Sequence, residues 1–403
     1  MTEQEKLVPK RRFKEFGNAT AWEQREYGEV IDLLSGQDFS PSEYNDTFNG
    51  IPYMTGASCI VGTETIVNRW TTVPRCLAEK GDVLLVCKGS GYGAIAVLAQ
   101  DKAHIARQFM ALKNLPNLDK VFNFYLLNSV IENIKKDARG LIAGIARDAV
   151  IKQEISIPLF EEQSQIGTFF KQLDHLITLH QRKLEKLKSL KSAYLSEMFP
   201  AEGENMPKRR FAGFTGAWEQ RKLGELADIV RGASPRPIQD PKWFDDKSET
   251  GWLRISDVTE QNGRIHHLEQ RISKAGQEKT RVLEEPHLLL SIAATVGKPV
   301  VNYIKTGVHD GFLIFQDPKF DREFMFQWLE AFRPQWRQYG QPGSQVNLNS
   351  DIVKNQEIAL PNEEEQKEIG VFFSKLDHLI TLHQRKLEKL QNIKRAYLNE
   401  MFV

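Results

Sequence analysis

The sequence predicts a mixed α/β (α+β) fold in which two globular domains are joined by two long helices packed as an antiparallel coiled coil, with a pseudo-two-fold internal repeat. The length of 403 residues allows two or three domains. The sequence LDHLITLHQRKLEKL occurs twice, at 173–187 and 376–390, an offset of 203 residues. Both copies carry a seam at the heptad spacing of coiled coils, so each long helix has a partner in the same chain.

Composition and charge restrict the class of protein. The 41% hydrophobic and 27% charged residues are those of an ordinary globular chain, which excludes disorder, collagen and small disulfide scaffolds. Lys and Arg number 54 against 53 Asp and Glu, so the net charge of +1 gives no reason to expect tight binding to a polyanion. The charged start MTEQEKLVPKRRF and the lack of an apolar run of about 18 residues predict no membrane span and a cytoplasmic location.

The repeat extends over whole halves of the chain. PKRRF, AWEQR and AYLxEMF each occur once in either half. A period of about 200 residues is the size of a complete domain plus a helix and is too long for a solenoid or propeller unit. The predicted segments are a first domain with its lead-in at 1–157, a first helix at 158–200, a linker and second domain at 201–360, and a second helix at 361–403.

The two helices are predicted from their seams. No proline interrupts either seam, and Pro158 and Pro361 lie just ahead, where helices begin. A helix of about 40 residues is about 60 Å long. Since no further ligands are spaced for a metal, we expect His180 and His383 to be partly buried, hydrogen-bonded and near each other if the helices pair antiparallel. The predicted interface residues are Ile166, Phe170, Leu173, Ile177, His180, Leu184 and Leu187 of the first helix and Ile369, Phe373, Leu376, Ile380, His383, Leu387 and Leu390 of the second.

The segments at 28–157 and 224–360 are predicted to be mixed α/β without a regular βαβ alternation. Their sequences align only loosely, although the two helices are nearly identical. A recent recombination would explain the nearly identical helices without any functional reason. The alternative is that the two helices form a frame with one fixed role, while the two domains have different roles. The predicted strands lie at 82–86, 94–98, 288–292 and 300–304, and the predicted short helices at 119–136 and 321–332.

No segment carries a complete catalytic or cofactor motif. The glycine-rich loop at 88–93 is followed by a strand-like segment rather than a helix, which predicts a hairpin rather than a nucleotide site. The segments 240–243 and 317–320 share an acidic residue, a proline and an aromatic residue with the base-flipping motif of amino-methyltransferases but lack its second proline, which favours turns. The three cysteines have no CxxC spacing, which favours buried free thiols over a disulfide or zinc site. We therefore expect no catalytic residue and no metal.

Loops that mix Arg or Lys with amides and aromatic residues are the candidates for contact with DNA, because they supply bidentate hydrogen bonds and stacking. The alternative for each is a turn residue or a solvated surface charge. In the first domain the candidates are Arg69, Trp70, Arg75, Lys88, Ser90, Tyr92, His104, Arg107 and Gln108. In the second they are Arg231, Ser234, Arg236, Lys242, Trp243, Arg337, Tyr339, Gln341, Ser344, Gln345 and Asn347.

Together these features resemble the DNA-specificity (S) subunits of type I restriction-modification enzymes. AWEQRKLGELADIVRGASPRP and GWLRISDV resemble the opening of a target-recognition domain, and GSQVNLNSDIVKNQEIALPNEEEQKEIG resembles its close. The repeated LDHLITLHQRKLEKL followed by AYLxEMF resembles the spacer helices of the family. In the first domain, IPYMTGASCIVG and GLIAGIARDAVIKQEISIPLFEEQ match more weakly.

The resemblance implies that each domain reads one half of a bipartite asymmetric site in double-stranded DNA and that the helices fix the gap. It implies two modification subunits, which bind adenosylmethionine and methylate adenine, and restriction subunits, which add translocation and cleavage with ATP and Mg. The chain itself is then a non-catalytic scaffold without a cofactor, in a restriction system for phage defence. Two alternatives are a self-sufficient DNA methyltransferase or nuclease, and a coiled-coil adaptor without a role on DNA.

The near-zero net charge predicts that the chain alone binds DNA weakly and with strong salt dependence, since most of the phosphate attraction would come from its partners. The assembly should bind tightly. Equilibrium binding over a series of salt concentrations, with the chain and with the assembly, measures the difference. Selective nanomolar binding by the chain alone would contradict the prediction.

Overall fold

A computed structural model of the chain describes residues 7–89, 91–136, 144–339 and 348–403, without the side chain of Arg337. The chain divides into two compact units, Met1–Gln181 with Arg385–Val403 and Arg182–Gln384. Each unit therefore combines a globular part with the beginning of one long helix and the end of the other.

The first unit contains two larger sheets. Its strands are β1 (Glu23–Glu26), β2 (Ile31–Ser35), β3 (Ile51–Met54), β4 (Ile60–Val61), β5 (Glu64–Thr65), β6 (Trp70–Thr71), β7 (Leu77–Glu79), β8 (Val83–Val86), β9 (Ile95–Val97), β10 (Lys102–Ile105), β11 (Phe109–Asn114) and β12 (Glu154–Ile157). One larger sheet has the strand order β2-β11-β8-β9-β5-β4, and the other has the order β6-β3-β10-β7. In addition, β1 pairs with β12. Its helices are α1 (Lys120–Lys136), α2 (Arg147–Ile151) and the beginning of α3 (Phe160–Met198). Side chains alternate along β8, so Val83 and Leu85 pack in the core that includes α1, while Leu84 and Val86 pack in a second core.

The second unit repeats this topology with one strand fewer in each of the two larger sheets, as far as the described residues show. Its strands are β13 (Glu219–Lys222), β14 (Asp228–Arg231), β15 (Gly251–Leu253), β16 (Arg264–Ile265), β17 (Arg281–Leu283), β18 (Leu288–Ser291), β19 (Pro299–Asn302), β20 (Thr306–Val308), β21 (Phe312–Gln316) and β22 (Glu357–Leu360). Its helices are α4 (Leu223–Leu226), α5 (Ile255–Glu260), α6 (Lys274–Gln277), α7 (Arg322–Phe332), α8 (Ser350–Asn355) and the beginning of α9 (Glu363–Met401). The sheet orders are β14-β21-β18-β19-β16 and β15-β20-β17, with β13 paired to β22. The strands β14, β21, β18 and β19 thus correspond to β2, β11, β8 and β9.

Within each unit, the beginning of one long helix packs antiparallel against the end of the other. In the first unit Asp174 lies 2.6 Å from Lys394, and the rings of Phe169 and Tyr397 are 5.4 Å apart. The second unit has the same contacts at residues shifted by 203 positions, Asp377 with Lys191 at 2.5 Å and Phe372 with Tyr194 at 5.1 Å.

Most predicted seam residues are buried. The buried ones are Ile166, Phe170, Leu173, Ile177, Leu184, Ile369, Phe373, Leu376, Ile380 and His383. The half-buried ones are His180, Leu187, Leu387 and Leu390. Burial at these positions follows the predicted heptad, while the proximity of His180 to His383 stays a prediction.

Each globular part is fixed to the beginning of its own long helix through a buried glutamine. Gln163 accepts a hydrogen bond from the backbone N–H of Asp119 and donates to the carbonyl oxygen of Pro158. A Cβ at Gly167 would lie 2.8 Å from the backbone nitrogen of Phe122, so only glycine permits this approach of α3 to α1. In the second unit the corresponding bonds join Gln366 to Asp321 and Pro361.

A buried ion pair joins each PKRRF segment to the same helix. Arg12 donates to both carboxylate oxygens of Glu162, at 2.7 and 2.6 Å, and Arg210 does the same with Glu365, at 2.6 and 2.7 Å. Both glutamates are 0% exposed. These hydrogen bonds raise the pKa of both arginines. The repeated arginine is therefore a structural anchor for the lead-in.

The predicted fold class is confirmed, with small differences in element bounds. The long helices fall inside the predicted 158–200 and 361–403, and the predicted strands and short helices agree to within two residues. The loop at 88–93 joins the antiparallel strands β8 and β9, with positive φ at Gly89 and Gly93. Among the described residues, no helix has the length and apolar character needed to cross a membrane.

All three cysteines are free thiols, as predicted. Cys59 and Cys87 are buried, and Cys76 is only half-buried. The expectation of full burial is therefore wrong for Cys76, because it lies at the edge of the small sheet just before β7.

We expect Glu365→Gln to lower the free energy of unfolding by about 3 kcal/mol, because it leaves the mostly buried Arg210 without its charge partner. Denaturant unfolding followed by tryptophan fluorescence measures the change, since the Trp218 indole donates to Glu365 at 3.1 Å. Glu364→Gln, at an exposed position in the same turn, is the matched control. Equal stability of the two variants would contradict the structural role of the ion pair.

Candidate nucleic-acid interface

Three predicted residues of the second unit converge on one aspartate that the sequence did not single out. Arg236 lies 2.7 Å from the Asp310 carboxylate, and the hydroxyl of Ser234 donates to it at 2.8 Å. The guanidinium of Arg231 donates to the backbone carbonyl of Asp310 at 2.6 Å. The loop after β14 and the loop after β20 thus form one polar surface.

The protonation states of this surface follow from its contacts. Burial alone would raise the pKa of Asp310, but the hydrogen bond from Ser234, the adjacent His309 and the nearby guanidinium groups outweigh it and lower the pKa. Burial lowers the pKa of the adjacent His309. At neutral pH the surface therefore carries an aspartate anion and a neutral imidazole.

A cavity of about 640 Å³ opens beside this surface. Trp252 and Phe244 supply aromatic surface, while Arg254 and Gln270 supply hydrogen-bonding groups. His309 lines the cavity and follows β20 directly, so the cavity and the aspartate surface share a loop.

Trp243 is not available for stacking on a base. Its side chain is buried, and its indole N–H donates to the carbonyl of Pro237 at 2.9 Å. The prediction that Trp243 contacts DNA is therefore wrong, because the aromatic ring is needed in the core. Lys242 stays exposed, with its ammonium 4.4 Å from the Trp243 ring and 2.9 Å from Asp240.

The remaining candidates of the second unit are described only in part. Tyr339 is exposed, and its hydroxyl donates to the side-chain carbonyl of Gln356 at 3.0 Å. The backbone of Arg337 belongs to a 3₁₀ helix, Arg333–Tyr339. Outside the described residues lie Gln341, Ser344, Gln345 and Asn347.

In the first unit, exposed arginines cover a group of aromatic rings. The guanidinium of Arg69 lies 4.6 Å from the Tyr44 ring. Arg75 lies 5.1 Å from the Phe39 ring and forms an ion pair with Glu43. These contacts hold both guanidinium groups at the surface, where cation–π contact fixes their planes.

His104 is not an exposed contact residue. Its side chain is 0% exposed, and its Nδ1 accepts hydrogen bonds from the backbone N–H groups of Arg75 and Cys76, at 3.2 and 3.1 Å. Its Nε2 lies 2.7 Å from the carbonyl of Gln37. The prediction that His104 contacts DNA is therefore wrong: the imidazole instead holds the loop that carries Arg75.

The first unit also has a polar cavity of about 350 Å³. Gln108 and Arg69 line it, together with the segment around Gly56.

The other described candidates of the first unit lie outside this cavity. Lys88 is exposed, and Tyr92 is half-buried beneath the ammonium of Lys135. Trp70 is half-buried against the ring of Phe48. Ser90 lies outside the described residues.

Comparison with known proteins identifies the chain. Residues 20–189 and 216–392 match the type I restriction modification DNA specificity domain. The chain belongs to this family. The type I restriction enzyme MjaVIII specificity subunit of Methanocaldococcus jannaschii is 24% identical to this specificity subunit over 409 residues, covering 94% of this chain and 91% of the relative.

Two solved structures share the fold of this specificity subunit. The S subunit of the type I restriction-modification system of M. genitalium aligns with a TM-score of 0.66 at 15% identity, over 98% of this chain and 99% of the other. A chain from a structure of type I R-M complex assembly and conformational transition aligns with a TM-score of 0.53 at 17% identity, over 94% and 97%. The family resemblance seen in the sequence is confirmed.

Three of the residues missed by sequence reasoning are acidic. Asp38, Glu43 and Asp310 each bind a candidate arginine, yet a search for positive and aromatic residues passes over them. The only available signal was position, since Asp38 follows β2 and Asp310 follows β20. No group of His, Cys, Asp and Glu in the described part of the specificity subunit is arranged to hold a metal ion.

Burial lowers the pKa of His104 below its ordinary value of 6.5. The folded state therefore stays unprotonated where the unfolded chain takes up a proton, so stability should be complete above pH 6.5 and fall as the pH drops below it. Chemical unfolding at pH 7.5 and 5.5 measures this difference. His104→Gln, which keeps a donor and an acceptor, should reduce it, and an unchanged pH dependence in that variant would refute the assignment.

Proposed function

We propose that this specificity subunit reads a bipartite, asymmetric site in double-stranded DNA, with one half-site for each globular part. The proposal rests on the contrast between the two long helices, which form a repeated frame, and the loops of the globular parts, which differ. The long helices are nearly identical in sequence, whereas corresponding loops carry Asp38 and Arg107 in the first unit and Ser234, Arg236 and Asp310 in the second. Two globular parts that carry different loops on the same repeated helices are suited to a DNA site whose two halves differ in sequence.

The cavities support the same division. The cavity of the second unit contains Trp252 and Phe244, while that of the first is lined by small and polar groups such as Thr55 and Asn68. Both lie where the chain leaves a corresponding strand, β15 in one unit and β3 in the other. Sequence readout depends on the hydrogen-bonding and apolar groups presented to base edges, so the two units would select different bases.

The long helices set the gap between the half-sites in this proposal. Each has 39 residues, which corresponds to about 60 Å of helix. DNA rises about 3.4 Å per base pair, so this length spans on the order of 10 to 17 base pairs between outer contacts.

Two modification subunits are the proposed partners on the helices. Leu176 and Leu179 are exposed in the first unit, and the repeat-related Leu379 and Leu382 are exposed in the second. Exposed apolar side chains at equivalent positions provide two similar surfaces, as two copies of one partner require. In this cytoplasmic assembly, adenosylmethionine belongs to the modification subunits and ATP with Mg to restriction subunits, while this chain is non-catalytic and binds no cofactor.

A reconstituted assembly tests the proposal. The chain is copurified with a modification subunit, and the methylated adenines are mapped by sequencing of treated genomic DNA. A single interrupted, asymmetric motif is the expected result. Methyl transfer from labelled adenosylmethionine by the chain alone would favour a self-sufficient enzyme, and an assembly without sequence-selective methylation would favour an adaptor.

Insertion of one heptad at equivalent positions of α3 and α9 should lengthen the preferred gap and leave both half-sites unchanged, because it preserves the seam. Mapping of methylated sites before and after the insertion measures both properties. A two-residue insertion, which rotates the seam by about 200° and turns it away from the partner helix, is the control and should prevent assembly. Altered half-sites with an unchanged gap would contradict the proposed division of roles.

A further inference from the structure

An ion pair joins the same two loops in both units. Arg107 lies 2.7 Å from Asp38 in the first unit, and Arg236 lies 2.7 Å from Asp310 in the second. In each case one partner follows the first strand of the main sheet, β2 or β14, and the other follows β10 or β20.

Backbone hydrogen bonds establish that these loops correspond. In the first unit the N–H of Gly36 donates to the carbonyl of Phe109, and the N–H of Gln37 to that of Ile105. The second unit repeats the pattern, with Gly232 donating to Phe312 and Ala233 to Val308. By this register, Asp38 corresponds to Ser234, and Arg107 corresponds to Asp310.

The charges are therefore exchanged between the units. The loop after β10 supplies the arginine in the first unit, whereas the loop after β20 supplies the aspartate in the second. In both pairs the arginine side chain is the more exposed partner, at 73% for Arg107 and 70% for Arg236, against 42% for Asp38 and 23% for Asp310. Each pair thus presents a guanidinium to solvent above a carboxylate that holds it.

Such a pair is suited to a base edge rather than to a phosphate. A guanidinium neutralised by a carboxylate contributes little to phosphate attraction, which depends on net positive charge. The same carboxylate orients the guanidinium, and an oriented guanidinium matches O6 and N7 of guanine through two hydrogen bonds. Ser234 also holds Asp310 twice, because its hydroxyl donates to the carboxylate and accepts from the Asp310 backbone N–H, so the position of Asp310 is fixed before any DNA arrives.

We propose that Arg107 and Arg236 each read a guanine, one in either half-site, with Asp38 and Asp310 as positioning residues. This assignment rests on the proposed function, since it presumes that both units contact DNA. Because the arginine projects from a different loop in each unit, the two guanines occupy different places within their half-sites.

The experiment uses the complete assembly with modification subunits. Sites methylated by the unaltered assembly are mapped first, and each half of the motif should contain a G·C pair. Arg236→Gln should then relax one G·C position of one half-site, with a 5- to 150-fold loss of discrimination, the range that about 1 to 3 kcal/mol per bidentate contact corresponds to. Arg107→Gln should relax one position of the other half-site only.

Further variants separate base reading from other roles. Asp310→Asn, which keeps the side-chain shape, should weaken discrimination at the same position as Arg236→Gln, while Arg221→Gln is the matched control. Arg221 is also partly exposed and ion-paired, with Glu225 at 2.8 Å, but it lies on β13, outside the two loops. The control should leave the motif intact.

The salt dependence of DNA binding distinguishes a contact with a base from a contact with a phosphate. Loss of a base contact should leave the slope of log K against log salt unchanged, whereas loss of a phosphate contact lowers it by about one. A reduced slope with an intact motif in Arg236→Gln and Arg107→Gln would overturn the assignment, as would a half-site without a G·C pair. An unaltered assembly that methylates no bipartite motif would instead refute the proposed function itself.

Discussion

The architecture depends on a buried carboxylate at the beginning of each long helix. Glu162 and Glu365 are fully buried, and a buried carboxylate is costly unless it is paired and hydrogen-bonded. Arg12 and Arg210 supply that pairing from the lead-in segments. The lead-in must therefore return to the helix in both units, which places the globular part on the helix in the same way each time.

The neighbouring glutamines extend this anchor into the globular part. Gln163 holds the N-terminal turn of α1, and Gln366 holds that of α7. The anchor leaves the loops beyond β2, β10, β14 and β20 free to differ, since none of its bonds involves them. A repeated attachment, with loops that differ between the units, is what a subunit with one frame and two specificities requires.

The near neutrality of the whole chain has a local counterpart at the candidate interface. Several exposed cations of the loops are paired with carboxylates, among them Arg75 with Glu43 and Lys242 with Asp240. A cation paired in this way adds little to the non-specific attraction to DNA, because that attraction scales with net positive charge. Its N–H groups can still donate directed hydrogen bonds. The composition of 54 basic and 53 acidic residues is thus compatible with recognition of DNA by geometry.

The sequence by itself determined the repeat, the two long helices, their seams and the family, because periodicity and repeated motifs are local properties of a chain. It also located the loops that carry Arg107, Arg231 and Arg236. Only the tertiary structure decided which of their neighbours matter: it buried Trp243 and His104 and brought Asp310 to Arg236, 74 positions away. Burial and ion pairing across such distances depend on how strands are ordered in the sheets, and strand order is set by packing of the whole unit rather than by any local pattern.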